Sequence, residues 1–459
     1  MMGDRVVRDN PTWITAGNRL TDTAFPTFQY EMRISLPFCG IDGASRACKE
    51  AQWHHSPRNC YDNRDAVHGA LRRLHPTALE HIKNEDITNV KMEDLSTSEG
   101  YVGTAPCQDF SKLGIGAGLG GRNGCLYMLQ FLQIKAIANR PGNPLKWIVL
   151  ENVLGVKVTR RDDVRSPFDV VEEWWEVNMP GWTPLQPWEV QLRDASSAGS
   201  RGRCIVVAFS RDWLEACGGD APQPPPKHPH VAMEDFLLDH DSPILQNNKK
   251  IKNLSKKMLD NVRAWSNLHD ARMKDASPKE LGCLDVSRPV DGIFKAYISE
   301  GFFPLLSTKN SNLCILRPSG MVSSKVGNPK KRLLSIEERA LIMGVEHTSI
   351  APTQSERQAL ISYGNMFPVN LAGVVLRQIM EKWAVYEHRL MSMGLLGDTR
   401  LFDVQAGACD ALCGMLQVGG VGEPAKKKSK KSKSPSTTKR KPTPRSGSSK
   451  KLKNLKTID

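Results

Sequence analysis

No C-x-x-C pair occurs in this chain. Its 11 cysteines are scattered, and the closest two, Cys409 and Cys413, have three residues between them. Paired Cys/His clusters with zinc-ligand spacing are therefore missing, and no metal is expected. The cysteine count is odd, and Met1–Asn10 is charged and runs into Pro11 rather than into an apolar signal segment. Reduced thiols in the nucleus (for a eukaryotic source) or the cytoplasm fit this better than a disulfide framework. Long apolar runs are missing too: no stretch approaches the ~20 residues that span a bilayer, so no membrane partner is expected. No internal repeat is visible. Acidic residues are scarce at one end only: Gly422–Asp459 carries 14 Lys/Arg against two acids, Glu423 and Asp459, so about +12 of the net +14 lies there.

What is present is an ordinary globular body with a basic appendage. Hydrophobic residues make up 40% and charged residues 24% of 459, enough for a sizeable core and two or three domains. Residues 1–30 read as a flexible arm. From 31 to 213 short β-rich runs alternate with helical stretches: Arg33–Phe38 then Ala44–Gln52, Asn59–Tyr61 then Ala66–Leu74, Tyr101–Thr104 then Cys125–Asn139. Trp147–Leu150, Val170–Val177 and Arg203–Phe209 continue the series. That rhythm predicts an α/β fold with a doubly wound, mostly parallel sheet, whose ligands bind at the carboxyl ends of the strands. Residues 214–330 change character, with Pro224-Pro225-Pro226, basic stretches and no clear periodicity. From 331 to 400 helices return: Ser335 and Glu338 form a capping-box pattern, and Tyr363–Met380 reads as a turn followed by a buried helix. The Lys/Ser/Pro-rich tail 422–459 is of low complexity and reads as disordered. Its charge suits a polyanion partner or an import signal.

Three landmarks fall at strand ends. Phe38-Cys39-Gly40-Ile41-Asp42-Gly43 is a Gly-rich turn; Pro106-Cys107-Gln108-Asp109-Phe110-Ser111 puts a cysteine behind a proline; Glu151-Asn152-Val153 ends an apolar run in a carboxylate. A thiolate and an acid together are the equipment for nucleophilic attack on an electron-poor ring. In this order the three resemble the cytosine carbon-5 DNA methyltransferases, over roughly 33–213 and 331–380. Arg201-Gly202-Arg203, Arg332 with Glu337/Glu338, and Gly364-Asn365 with Pro368 extend the match. Gly199 stands where the family usually has Gln, Asp42 where it has a small residue, and Met366-Phe367 where it has Ala-Val.

The resemblance implies a Rossmann-like class I methyltransferase that uses S-adenosyl-L-methionine. Cys107, Glu151, Arg201 and Arg203 become the catalytic set: the thiolate adds to carbon 6 of cytosine, Glu151 acts on ring nitrogen 3, and the arginines hold the base and support the loop. Phe38, Gly40, Gly43, Asp62, Asp86, Ile87, Pro106 and Asn365 become the cofactor set, with Asp65 a rival to Asp62 for the ribose. Asn152 would fix the Cys107 loop, and Gly114–Gly124 would close over a flipped base. Residues 214–330 occupy the position of a target recognition region. The implied partner is duplex DNA; transfer RNA, methylated by a subgroup with the same catalytic residues, is the alternative. A silent DNA-binding homologue would typically lack one of the four catalytic residues, and all four are present.

Overall fold

The computed structural model describes residues 31–393 apart from 52, 112–115, 143, 160–163, 196, 247–250, 288–297, 305–311, 328–330 and 350–353. The described residues all belong to one compact unit, Met1–Asp410. The arm 1–30 and the tail 422–459 lie outside them.

In chain order the strands of the first half are β1 (Met32–Ser35), β2 (His55–Arg58), β3 (Cys60–Tyr61), β4 (Ile82–Lys83), β5 (Gly100–Gly103), β6 (Trp147–Asn152), β7 (Gln186–Gln191) and β8 (Gly202–Phe209). Six of them form one sheet in the order β2-β1-β5-β6-β8-β7, and β3 pairs with β4 apart from it. Neighbours are parallel except around β8, which runs against both β6 and β7. The expected doubly wound, mostly parallel sheet is the one that forms. The helices that cover it include α1 (Gly43–Glu50), α2 (Asp65–Leu74), α3 (Gly124–Ala138) and α4 (Pro167–Asn178).

The pleat sends alternate residues of β6 and β8 to opposite faces. Trp147, Val149, Ile205 and Val207 join a core with α1, α2 and the late helix Val369–Ser392. Ile148, Leu150, Val206 and Ala208 join a second core with α3 and α4. With both faces covered, these strands read as unbroken apolar runs, and each Val, Leu or Ile among them contributes about 1.5–3 kcal/mol on burial. The edges were less legible. The second strand of the sheet is His55–Arg58 rather than Asn59–Tyr61, which pairs with β4, and β7 was not anticipated. Pro57 and Pro187 sit in these two edge strands, where a missing N–H does no harm but the sequence pattern is broken.

Residues 214–330, without periodicity in sequence, hold a helix of 17 residues, a single turn at Pro243–Gln246 and most of a second sheet. Helix Lys256–Arg272 is capped by Ser255, whose hydroxyl accepts from Met258 N at 3.4 Å. Strands β9 (Gly282–Asp285), β10 (Ser299–Glu300), β11 (Leu313–Leu316) and β12 (Lys331–Leu333) form an antiparallel sheet in the order β10-β9-β11-β12. Cys283, Leu313 and Ile315 face the first core, while Leu284, Cys314 and Leu316 pack with Val262 and Trp265 of the helix. Strands of two to four residues are too short to show alternation. The last strand lies beyond the expected boundary at 330.

The returning segment is locked by a buried carboxylate. Ser335 Oγ accepts from Glu338 N at 3.1 Å, and Glu338 Oε2 accepts from Ser335 N at 2.8 Å, the capping box read from sequence. Glu338 also accepts from Arg332 and from Leu238 N, each at 2.8 Å. Gly364 and Asn365, expected in a turn, end the helix Glu356–Asn365 instead. The helical span Glu356–Ser392 is long and apolar enough to cross a membrane by length and composition, contrary to expectation; 67% of its most apolar window is buried inside the fold.

Candidate active site

Three carboxyl ends of the sheet are stitched side by side. After β1, Phe38, Gly40 and Asp42 have left-handed φ of 57°, 53° and 54°, so the chain doubles back before α1 begins. Thr104, after β5, donates its hydroxyl to the Phe38 carbonyl at 2.7 Å. Asn152, at the end of β6, donates its amide to the Ala105 carbonyl at 3.3 Å. The role expected for Asn152, fixing the loop that carries Cys107, has this bond as its basis. The Cys107 carbonyl accepts from Phe110 N at 3.0 Å and Ser111 N at 2.9 Å, turning the chain at the cysteine.

From the antiparallel strand β8, Arg203 Nε donates to Glu151 Oε1, and both side chains are almost fully buried. Arg201, also buried, reaches the other way: its Nη2 donates to the Gly364 carbonyl at 3.0 Å and its Nη1 to the Tyr363 carbonyl at 3.4 Å. Helix Glu356–Asn365 is thereby tied to the β8 end, and three residues later the chain meets α1. There a Cβ on Gly43 would collide with the Phe367 carbonyl oxygen, so only glycine admits this approach. Met366 and Phe367 are buried in the first core, which accounts for bulky apolar residues at these positions. The contacts close a circuit through Phe38, Thr104, Ala105, Asn152, Glu151, Arg203, Arg201, Gly364, Phe367 and Gly43.

The half-buried Cys107 thiol is raised above its ordinary value by burial, against which the Arg203 charge works most strongly; Glu151 adds to the rise and Arg201 opposes it. Burial and the neighbouring Arg203 charge bring Arg201 down to about 9, with Glu151 and Cys107 pulling upward. Four expected residues therefore act on one another electrostatically, though 44 to 96 positions separate the cysteine from the rest.

On the other side of the Phe38 turn, Asp62 is nearly buried and held by Arg64, whose Nε and Nη2 reach its two oxygens at 2.8 and 2.7 Å. The same Nη2 lies 3.7 Å from where a Cβ on Gly40 would stand. Asp65 faces elsewhere: its carboxylate accepts from Asn84 at 2.6 Å. Asp86 is exposed, caps a turn through Thr88 N at 3.0 Å, and accepts from Asn63 Nδ2 at 3.3 Å. The Thr88 backbone N–H is the main cause holding its carboxyl below the ordinary range. Ile87 is buried with Tyr61 and Leu95 in the second core, Pro106 is half-buried beside Cys107, and Asn365 is half-buried at its helix end.

Sequence reasoning missed Asn63 and Arg64, which only the fold sets beside Asp86, Asp62 and Gly40. It also missed what Asp109 does. Its Oδ2 accepts from Asn123 N at 2.7 Å and Gly124 N at 2.9 Å, so the residue two after Cys107 caps α3 and pins the far end of the Gly-rich loop. Residues 116–124 of that loop are described. At Gly199, where the family usually has Gln, a Cβ would stand 2.8 Å from Leu192 Cδ2 and 3.3 Å from Ile342 Cγ2, so a side chain there requires these two to shift. Among the described residues no cluster of His, Cys, Asp and Glu could hold a metal.

A Rossmann-like sheet with this set at its carboxyl ends defines a class I methyltransferase. The chain belongs to the C-5 cytosine-specific DNA methylase family, whose model matches residues 32–381. It is an S-adenosylmethionine-dependent family. The chain is similar to the type II methyltransferase M.FnuDI of Fusobacterium nucleatum, 23% identical over 361 residues that span 76% of this chain and 94% of that protein. Among solved structures it resembles the Entamoeba histolytica methyltransferase EhMeth (12% identity, 77% of this chain and 99% of that one, TM-score 0.49). It also resembles the S. pombe Dnmt2 methyltransferase (15%, 77% and 99%, TM-score 0.46).

Proposed function

We propose that the protein methylates carbon 5 of cytosine in DNA through a covalent Cys107–cytosine adduct. The observation that carries this reading is the joining of two strand ends: Asn152 holds the Cys107 loop through the Ala105 carbonyl, and its neighbour Glu151 is paired with Arg203. The described residues suit the cofactor. A turn of three left-handed residues opens onto a helix start at Gly43, and the acids Asp62 and Asp86 stand at the next two loops. Phe38, Gly40, Gly43, Pro106 and Asn365 would border the methionine part, Asp62 the ribose, and Asp86 with Ile87 the adenine. When bound, S-adenosyl-L-methionine supplies an electrophilic methyl group.

The residues of the chain prepare the ring. The Cys107 thiolate adds to carbon 6, forming the S–C bond while the ring electrons move toward carbon 5. Glu151, once it has taken up a proton, donates it or a hydrogen bond to nitrogen 3 and so neutralises the charge that develops there. Arg203 orients Glu151, and Arg201 holds the returning segment beside it. A solvent base then takes the carbon-5 proton, the C–H electrons re-form the carbon 5–carbon 6 double bond, and the S–C bond breaks to release the Cys107 thiolate. A base stacked inside a duplex is closed to attack by Cys107, so the cytosine has to be flipped out, at a cost of a few kcal/mol. Residues 214–330 and the Gly114–Gly124 loop would contact the DNA, and the basic tail would add non-specific attraction.

The test is transfer of tritium from labelled S-adenosylmethionine to a panel of duplex DNA and transfer RNA. Label on duplex DNA supports the reading; label on transfer RNA alone replaces it with the RNA alternative. Duplex DNA bearing 5-fluorocytosine should also give an adduct stable to denaturation, because fluorine cannot leave as a proton does.

A further inference from the structure

We infer that Asp42 and His75 form a positioning pair that holds the Phe38–Gly43 turn in its cofactor-binding shape. The inference rests on reading that turn as the cofactor turn. Asp42 stands where a small residue is usual, yet its backbone is left-handed at φ 54° and ψ 73°. A non-glycine residue in this region costs about 1–2 kcal/mol and persists only where its surroundings enforce it. Here the enforcement is visible. Asp42 N donates to the Cys39 carbonyl at 2.8 Å, closing the turn. Asp42 Oδ1 accepts from Ser45 N at 2.9 Å, capping α1. Asp42 Oδ2 accepts from His75 Nε2 at 2.8 Å.

Both side chains are buried, Asp42 at 1% and His75 at 5% exposure, so neither is displayed to a ligand. The pair acts through the chain it fixes. His75 is the C-cap of α2, its own N–H bonded to the Leu71 carbonyl at 2.9 Å. Helix α2 begins at Asp65, immediately after the Asp62–Arg64 pair. One hydrogen bond thus ties the Phe38 turn to the far end of the helix that follows the Asp62 loop. The two loops assigned to the methionine part and the ribose are held at a fixed separation. Burial by itself would raise the Asp42 carboxyl, but the His75 hydrogen bond and charge, with Ser45 N, hold it below its ordinary value. The carboxylate therefore stays ionised and keeps its grip.

A double-mutant cycle tests this in the full-length protein, with S-adenosylhomocysteine as the calorimetric probe and thermal unfolding as the check on folding. His75→Ala should weaken probe binding at least about tenfold, because a buried carboxylate loses a charge-assisted partner. It should raise KM for the cofactor far more than it lowers kcat. His75→Gln, which can present an N–H near the Nε2 position, should recover part of the loss. Asp42→Gly/His75→Ala should bind about as well as Asp42→Gly alone, since glycine adopts φ 54° freely and leaves no carboxylate to satisfy. A folded His75→Ala variant with wild-type affinity overturns the inference. So does a double variant that binds much more weakly than Asp42→Gly, or one that fails to fold. If the wild-type protein itself does not bind the probe, the cofactor reading of the turn falls, and this inference with it.

Discussion

Arg203 Nε donates to Glu151 Oε1 across the antiparallel pair β6–β8, and the two side chains are 6% and 8% exposed. A buried pair of this kind adds little net stability, but removing one partner strands the other at a cost of about 3–5 kcal/mol. Its importance here is electrostatic. Burial raises the Cys107 thiol, Arg203 opposes the rise and Glu151 reinforces it. Glu151→Gln should therefore lower the thiol pKa and speed its alkylation by iodoacetamide at neutral pH, while cutting methyl transfer at least about a hundredfold. Arg203→Ala should slow alkylation. Alkylation profiles that shift together in the two variants would contradict this arrangement.

Cys107→Ser should abolish methyl transfer and adduct formation, yet leave the unfolding midpoint and S-adenosylhomocysteine affinity close to wild type. A hydroxyl is a far weaker nucleophile near neutral pH than a cysteine with its thiolate fraction. The half-buried site should accept the isosteric oxygen with little rearrangement. Turnover near the wild-type rate in the Ser variant would refute the covalent route.

Asp86→Ala should weaken S-adenosylhomocysteine binding about tenfold, the worth of one good polar contact, with little effect on DNA affinity. The carboxylate is exposed and bonded to Thr88 and Asn63, so its loss leaves no buried group unpaired and stability should barely change. Asn63→Ala should reproduce part of the effect. Calorimetry decides, and unchanged affinity in both variants would remove this loop from the cofactor site.

Stability should fall on mild acidification, and His55 gives the sign. Burial is the main cause that brings its imidazole from 6.5 to about 4, and His75 and Lys49 add to the drop. The ring is neutral when folded and takes up a proton on unfolding anywhere between those values. That contribution is intact above about pH 6.5 and is lost as pH falls toward 4, on the order of 2 kcal/mol for a half-buried ring. His55→Asn should flatten the denaturation midpoint over this window; an unchanged slope would mean that other groups dominate.

Removing Gly422–Asp459 takes away about +12 of charge. Non-specific DNA affinity and its salt dependence should both fall, because fewer counterions are released. Methylated sequence context should not change, since phosphate contacts position a protein without reading bases. Bisulfite sequencing of a random library treated with full-length and truncated protein makes the comparison. A change in context rather than in extent would make the tail part of the reader.

The sequence by itself determined the order of the landmarks and the elements that rest on local rules. The apolar runs of β6 and β8 were legible because both their faces are buried, and the Ser335–Glu338 cap because its partners lie three residues apart. That Cys107 and Glu151 fall at neighbouring strand ends was legible because parallel strands bring their carboxyl ends to one edge of the sheet. The tertiary structure alone decided what depends on distant partners. It turned Asp62 rather than Asp65 toward the Phe38 turn and set Asn63 beside Asp86. It packed Leu192 and Ile342 against Gly199 and pointed Asp42 inward to His75. It joined Arg201 to Gly364 across 163 positions. Periodicity and capping act within a few residues, whereas the partner of a buried charge is chosen by the packing of whole elements, which no local pattern encodes.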